Sequence, residues 1–581
     1  MDSPLITVFL FLCAGLCVLA TQPRACAALR RTRSLGGADR ALAHLVDRFE
    51  LPLLLLVAAA ALFARAYQLT GVPTGLSAEE ALVGIEARAL VETGGEAFTG
   101  RLTAQLNVWG TSQTGPLLSL LAAPFVAFMG LSVLSVRLPM LLLHLLSTAA
   151  FYGLCRRMSG RRAARIGFFL YALAPGLIMQ SRWVASAQTL PAMLVLSLWA
   201  LSMGENRRLW HYGSMALFGL SMYACDAAWY VIPPFILLLC AYLLAARRLP
   251  VRTVLLGAAL YLAVALPALL TLVVNTFGLE GFSLLGVDIP RFDSYEHAAR
   301  ELLSPDPLLY RGADAFDTMM DNGFSFLQQT LLQLPASAVG QTSLFALTNY
   351  GLYQLFMLPL AVLGGAAWLV QCFRSKGAPH LENGSSIAAV ACSFLLLCMA
   401  GFALSFRELD AQHLAMVLPL LLLLCTKGFS YIARRVPLTG ALLAALYAVS
   451  FGLFSVSYFA GESPLRTVST FYRGFPEAAA YAESSDPQHI YVSASMPHAN
   501  PDQAARVLTA FAFDLPASVI HAPFTGDDYA QRFTLFHPES QTPVPAPGTL
   551  YLLRAEDTQT LDAEGFDYHE FADWVVLESI R

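Results

Sequence analysis

The chain has 581 residues, of which 56% are hydrophobic and 13% charged, about half the roughly 25% charged typical of soluble domains. Mean hydropathy is +0.58, which excludes a disordered chain and a water-soluble enzyme, and no basic domain marks a nucleic-acid partner. The net charge of −4 conceals an asymmetry: residues 460–581 carry 17 acids and 6 arginines, for −11, which leaves +7 on residues 1–459.

A membrane-crossing helix needs about 20 mostly apolar residues. Stretches that satisfy this are 3–21, 51–69, 137–156, 164–181, 184–203, 210–227, 229–246, 253–275, 351–372, 386–406, 412–427 and 437–459. The expected fold is therefore a multi-span α-helical membrane protein with about 12 transmembrane helices. The first stretch lacks the basic n-region and small-residue cleavage site of a signal peptide, so it reads as an extra N-terminal span.

Arginine and lysine placement sets the orientation. Six arginines lie in Arg24–Arg48 and five in Arg156–Arg165, followed by Arg207/Arg208, Arg247/Arg248/Arg252, Arg374/Lys376 and Lys427/Arg434/Arg435. One alternating topology puts all 21 on the cytoplasmic side. Residues 1–48 are then an extra span with a basic cytoplasmic loop. Residues 49–459 form the membrane domain, and its loops 70–136 and 276–350 lie outside together with the tail 460–581. Counting 116–134 as a span would break this parity, so that apolar piece is expected to be re-entrant or interfacial.

From about Gly461 the pattern changes to helix (474–484), strand (489–493), helix (501–511), strand (517–521), a Pro-rich loop (538–547) and strands at 549–554 and 574–579. This alternation predicts a small extracytoplasmic α/β C-terminal domain. The ten cysteines lie in or beside apolar stretches, which argues against a disulfide framework. No Cys/His cluster suggests zinc.

Ionisable residues inside the apolar stretches are few: Arg65, His144 and Asp226. Such charges are candidates for function, although Arg65 and Asp226 lie near outer span ends, where snorkelling is the simpler reading. His144 on a Leu-rich helix reads as a core histidine. The first outer loop carries Gly75–Gly95, in which Ser77 and Glu80 fit a capping box and Glu79 and Glu80 are first-turn acids. In isolation such acids complement the helix dipole. At the membrane surface an ionised carboxylate is also placed to accept a proton.

The ordered set Arg65–Ala66–Tyr67, Glu79–Glu80–Ala81, Glu92–Thr93–Gly94, Pro116–Leu117–Leu118, Gly130, Val136–Arg137–Leu138–Pro139, Ser181–Arg182–Trp183, Tyr223–Ala224–Cys225–Asp226, Asp410–Ala411–Gln412–His413 with Pro419, and Phe475–Pro476–Glu477–Ala478 resembles the polytopic GT-C glycosyltransferases. The similarity is to bacterial members related to protein O-mannosyltransferases and aminoarabinose transferases, and it spans about residues 55–575. It implies transfer of a sugar from a polyprenyl-phosphate donor to a glycan, lipid or protein acceptor at the outer membrane face, in contact with membrane lipids. By the same resemblance Glu79 is the general base, with Glu80 beside it, and Arg65, Arg137, Arg182, Trp183, Asp226 and His413 are substrate-binding.

The residue types suit that chemistry. A lipid phosphate leaves as an anion and calls for cations, which arginine meets bidentately. One base suffices for an inverting displacement. Glu79 stands where the family usually has Asp, and His413 where relatives often have arginine. No cofactor is indicated, and a divalent metal has no residue signature. A lipid-sugar flippase should show repeated halves and polar residues at the midplane, which are missing from the sequence. A non-catalytic assembly protein would tolerate substitution of both acids.

Overall fold

The computed structural model describes residues 4–92, 102–103, 115–204, 206–225, 227–284, 286–291, 319–324, 353–374, 385–405, 415–460, 471–498, 500–515, 528–530, 532–558 and 565–580. Every one of the twelve apolar stretches coincides with helix over most of its described length. Seven of the described helices are long and apolar enough to cross a bilayer, or nine if two sharply bent pairs each count as a span. The lower count has a local cause. The expected span 164–181 stops as a helix at Ala172 and resumes as Pro175–Gln180, because the residue before a proline disfavours helical backbone. Arg208–Ser221 has only 14 residues, about 21 Å at 1.5 Å per residue.

The piece read as re-entrant or interfacial forms Leu117–Met129, a 13-residue helix bounded by Pro116 and by Gly130 at φ 76°. At about 20 Å it falls short of a bilayer core. It packs against the acidic helix Ala78–Glu92 and the long helix Val133–Ser159. The loops 70–136 and 276–350 also meet: Leu102–Thr103 pairs in parallel with Val287–Ile289, which pairs antiparallel with Phe282–Leu284.

The tail is an α/β domain, as its alternation predicts. Its sheet runs Asp528–Ala530, Phe533–Phe536, His489–Ser493, Thr549–Arg554, Trp574–Ser579, Phe566–Phe571. The strands His489–Ser493, Phe533–Phe536 and Thr549–Arg554 are mutually parallel around the first of them. Side chains alternate across the sheet. Ile490, Val492, Leu550 and Leu552 face the helices Phe475–Ser484 and Pro501–Ala512, while Tyr551, Leu553 and Leu577 fill the opposite face. The strand predicted at 517–521 lies outside the described residues. The strand Phe566–Phe571 is not evident in the sequence because it is a charged edge strand.

One boundary differs in kind from the sequence reading. Leu76, Ala78, Ala81, Leu82 and Ile85 of the first outer loop share a single apolar core with Phe475, Ala504, Val507 and Leu508 of the tail. Arg88 extends the contact by an ion pair with Asp514. The acidic helix is thus built into the tail domain as much as into the membrane domain.

Candidate active site

Glu80 is fully buried at the start of the acidic helix. The reciprocal capping box is present: Ser77 N–H donates to Glu80 Oε2 at 3.0 Å, and Glu80 N–H donates to Ser77 Oγ at 3.1 Å. Arg137 then grips the same carboxylate with both arms, Nε to Oε1 at 2.8 Å and Nη2 to Oε2 at 2.9 Å. The Val184 N–H adds a bond to Oε1 at 3.1 Å. Each oxygen accepts two bonds, which uses the roughly four lone-pair sites of a carboxylate.

Arg137 is equally occupied. Nη1 donates to Leu69 O and Pro73 O, and the second Nη2 hydrogen goes to Gly75 O at 2.8 Å. All five guanidinium hydrogens have protein acceptors, and together they fix turn 69–75 against the acidic helix. Gly75 sits at φ +92°, and a Cβ there would lie 2.0 Å from Phe471 O, so the turn presses directly on the first described residues of the tail.

Arg182 does for the preceding helix what Arg137 does for the turn. Its Nη1 donates to Ala64 O and Arg65 O, and Nη2 to Tyr67 O, Gln68 O and Val72 O. The carbonyls of Ala64 and Arg65 are among those that the end of helix Glu50–Ala66 leaves without intrahelical partners, the other three belong to the turn that follows, and a cation there also opposes the helix dipole. The guanidinium lies 4.9 Å from the Phe459 ring centroid. Only its Nε lacks a partner. Arg65, also fully buried, donates from Nη1 to Ala61 O and Ala172 O. Its Nε and Nη2 have no partner, so it keeps more unused donor capacity than Arg137 or Arg182. Trp183 is buried, its ring centroid 5.5 Å from that of Phe471 in an edge-to-face contact. Asp226 and His413 lie outside the described residues.

Glu79 is half-buried. Successive helical residues are rotated by about 100°, so its side chain leaves the helix on a different bearing from that of Glu80. Among the described residues no group of three or more His, Cys, Asp or Glu side chains is placed to hold a metal.

Sequence reasoning passed over Glu86, two turns further along the same helix. It is 2% exposed. Ser119 Oγ donates to its Oε2 at 2.7 Å, and Oε1 has no partner. Burial drives its pKa from 4.5 up to about 8, against a smaller lowering by Ser119. The signal available in the sequence was Ser119 itself, a lone hydroxyl in the apolar segment 116–134.

Comparison with known proteins agrees with this geometry. The dolichyl-phosphate-mannose-protein mannosyltransferase family model matches residues 113–270, a stretch that contains Arg137 and Arg182. No curated protein sequence matches the chain. Among solved structures, ArnT from Cupriavidus metallidurans bound to undecaprenyl phosphate superposes with a TM-score of 0.53 at 15% identity, covering 91% of this chain and 97% of that one. Its apo form gives 0.52 at 14%, covering 92% and 98%. The chain has the GT-C fold. The resemblance read from scattered motifs is borne out at the level of the fold over nearly the whole length, and the protein is a multi-pass membrane protein. A weaker likeness, TM-score 0.46 at 14% identity, joins it to an oligosaccharyltransferase of Archaeoglobus fulgidus.

Proposed function

We propose that the chain is a membrane glycosyltransferase that moves a sugar from a polyprenyl-phosphate donor to an acceptor hydroxyl or amine at the outer face, with Glu79 as general base. The observation that carries this reading is the acidic pair at the start of the helix. Glu80 is bonded to Arg137, Ser77 and Val184, and Glu79 stands beside it, half-buried, on the same first turn. The family model and the lipid phosphate bound by ArnT support a lipid-linked donor.

The acceptor proton passes to Glu79 as the nucleophile attacks the anomeric carbon. The bond to the lipid phosphate breaks, and the phosphate departs as an anion. A single displacement inverts the anomeric centre. Arg137 and Arg182 hold the turn that frames the site, and of the buried arginines Arg65 has donors left to oppose developing negative charge.

The test is transfer from a purified polyprenyl-phosphate sugar by the full chain in nanodiscs. Glu79→Gln keeps the shape but cannot take the proton, so turnover should fall by about two to four orders of magnitude with an unchanged melting temperature. Near wild-type turnover in a folded Glu79→Gln variant removes Glu79 as the base. Sidedness is tested separately: a reporter active only in the cytoplasm, fused after Arg581, should be silent.

A further inference from the structure

At the end of helix Glu50–Ala66 opposite Arg65, two short helices leave the bundle sideways. Pro23–Arg31 turns by 94° from the first apolar helix, and Ser34–Arg48 meets Glu50–Ala66 at 72°. If the apolar helices cross the bilayer, these two lie nearly in its plane. Both are amphipathic. On Arg33–Arg48, positions 33, 40, 44 and 48 fall within about 80° of one another at 100° per residue, and they carry Arg, Arg, His and Arg. Leu35, Leu42 and Val46 lie on the opposite side, and Leu45 lies at the edge between the two faces, about 60° from Arg48. Leu45 is 53% exposed, and Phe49 just beyond it 46%, so protein does not cover the whole apolar face.

The acids nearby are already committed. Asp47 pairs with Arg165, Glu50 with Arg161 and Arg165, and Asp39 accepts from the Leu438 N–H. Arg30 donates to the Arg435 carbonyl, which fastens the pair of helices to the bundle. Arg24, Arg31, Arg40 and Arg48 remain exposed, and none has a carboxylate partner among the described residues.

We infer that these two helices form a binding surface for anionic phospholipid headgroups, with Leu45 and Phe49 entering the acyl boundary and Arg24, Arg31, Arg40 and Arg48 meeting lipid phosphates. The reasoning is physical. An amphipathic helix held in the membrane plane buries its apolar face at the headgroup boundary, and arginines at that depth pair bidentately with phosphate. Arg24 and Arg31 sit on the first of the two helices that run along the surface, and Arg40 and Arg48 on the second. The surface is separate from the outer site and does not depend on Glu79.

The experiment reconstitutes the full chain in nanodiscs of phosphatidylcholine alone or mixed equally with phosphatidylglycerol. It reads both the melting temperature and, by mass spectrometry, the lipids that stay bound after transfer to detergent. Wild type should retain phosphatidylglycerol in several-fold excess over phosphatidylcholine and melt higher in the mixed discs, and high salt should reduce the enrichment. Replacing Arg24, Arg31, Arg40 and Arg48 together with Gln should abolish the enrichment, while the same four Lys replacements keep most of it. Equal retention of both lipids by wild type overturns the inference without recourse to any variant. So does undiminished enrichment in a Gln variant that still melts cooperatively. A surface that instead binds a soluble acidic protein would give the first of these results.

Discussion

Glu80 and Glu86 stand six residues apart on one helix, and both are buried. Their surroundings are nonetheless opposite. At the first turn Glu80 accepts four bonds, two of them from a guanidinium. At the third turn Glu86 has one hydroxyl and an apolar segment beside it, which favours the protonated acid. Burial alone therefore says little about a carboxyl group. What matters is whether the chain brings donors in with it, and only the first turn is reached by Arg137 from a distant helix.

The largest effect should come from breaking the saturated end. Arg137→Ala leaves Glu80 buried without its cation and frees the carbonyls of Leu69, Pro73 and Gly75. A loss of about 3–5 kcal/mol is expected for a buried pair broken from one side, read as a sharp fall in melting temperature. Arg137→Lys should recover only part of it, because an ammonium cannot serve five acceptors in the plane of a guanidinium fork.

The second test addresses the poor end through pH. The folded pKa of Glu86, about 8, lies above the ordinary 4.5. Between those values the folded state holds a proton that the unfolded chain gives up. Its contribution is complete below about pH 4.5 and is lost progressively as pH rises toward 8. At pH 7 the penalty is about 3 kcal/mol by linkage. Glu86→Gln mimics the protonated acid, so it should raise the melting temperature at pH 7, change little at pH 4.5, and flatten the slope between them. A variant as pH-dependent as wild type would show that Glu86 is not the buried acid responsible.

The smallest effect belongs to the cap. Ser77→Ala removes one of the two reciprocal bonds at Glu80 but leaves Arg137 in place, so about 1 kcal/mol is expected. A loss as large as that of Arg137→Ala would mean that the capping box, not the ion pair, holds the first turn.

These residues also show what was legible in advance. The helices followed from hydropathy, and the capping box from Ser77 and Glu80, because both signals are local. The role of Arg137 was not readable, since three of its acceptors are backbone carbonyls of a turn and carry no side-chain signature. Glu86 escaped for a related reason: it lies on a helix buried on nearly every side, where no polar face marks which acid meets water. The shared core of the acidic helix and the tail joins segments several hundred residues apart, a contact that pattern within either segment cannot reveal.

That shared core bears on how the protein is made. Leu76, Leu82 and Ile85 are translated well before Ala504, Val507 and Leu508, the residues that cover them. Until then the helix that carries Glu79 lacks part of its packing. The proposed catalytic turn is consequently completed late in biogenesis, and a chain cut short before the tail would leave it without the core that holds it.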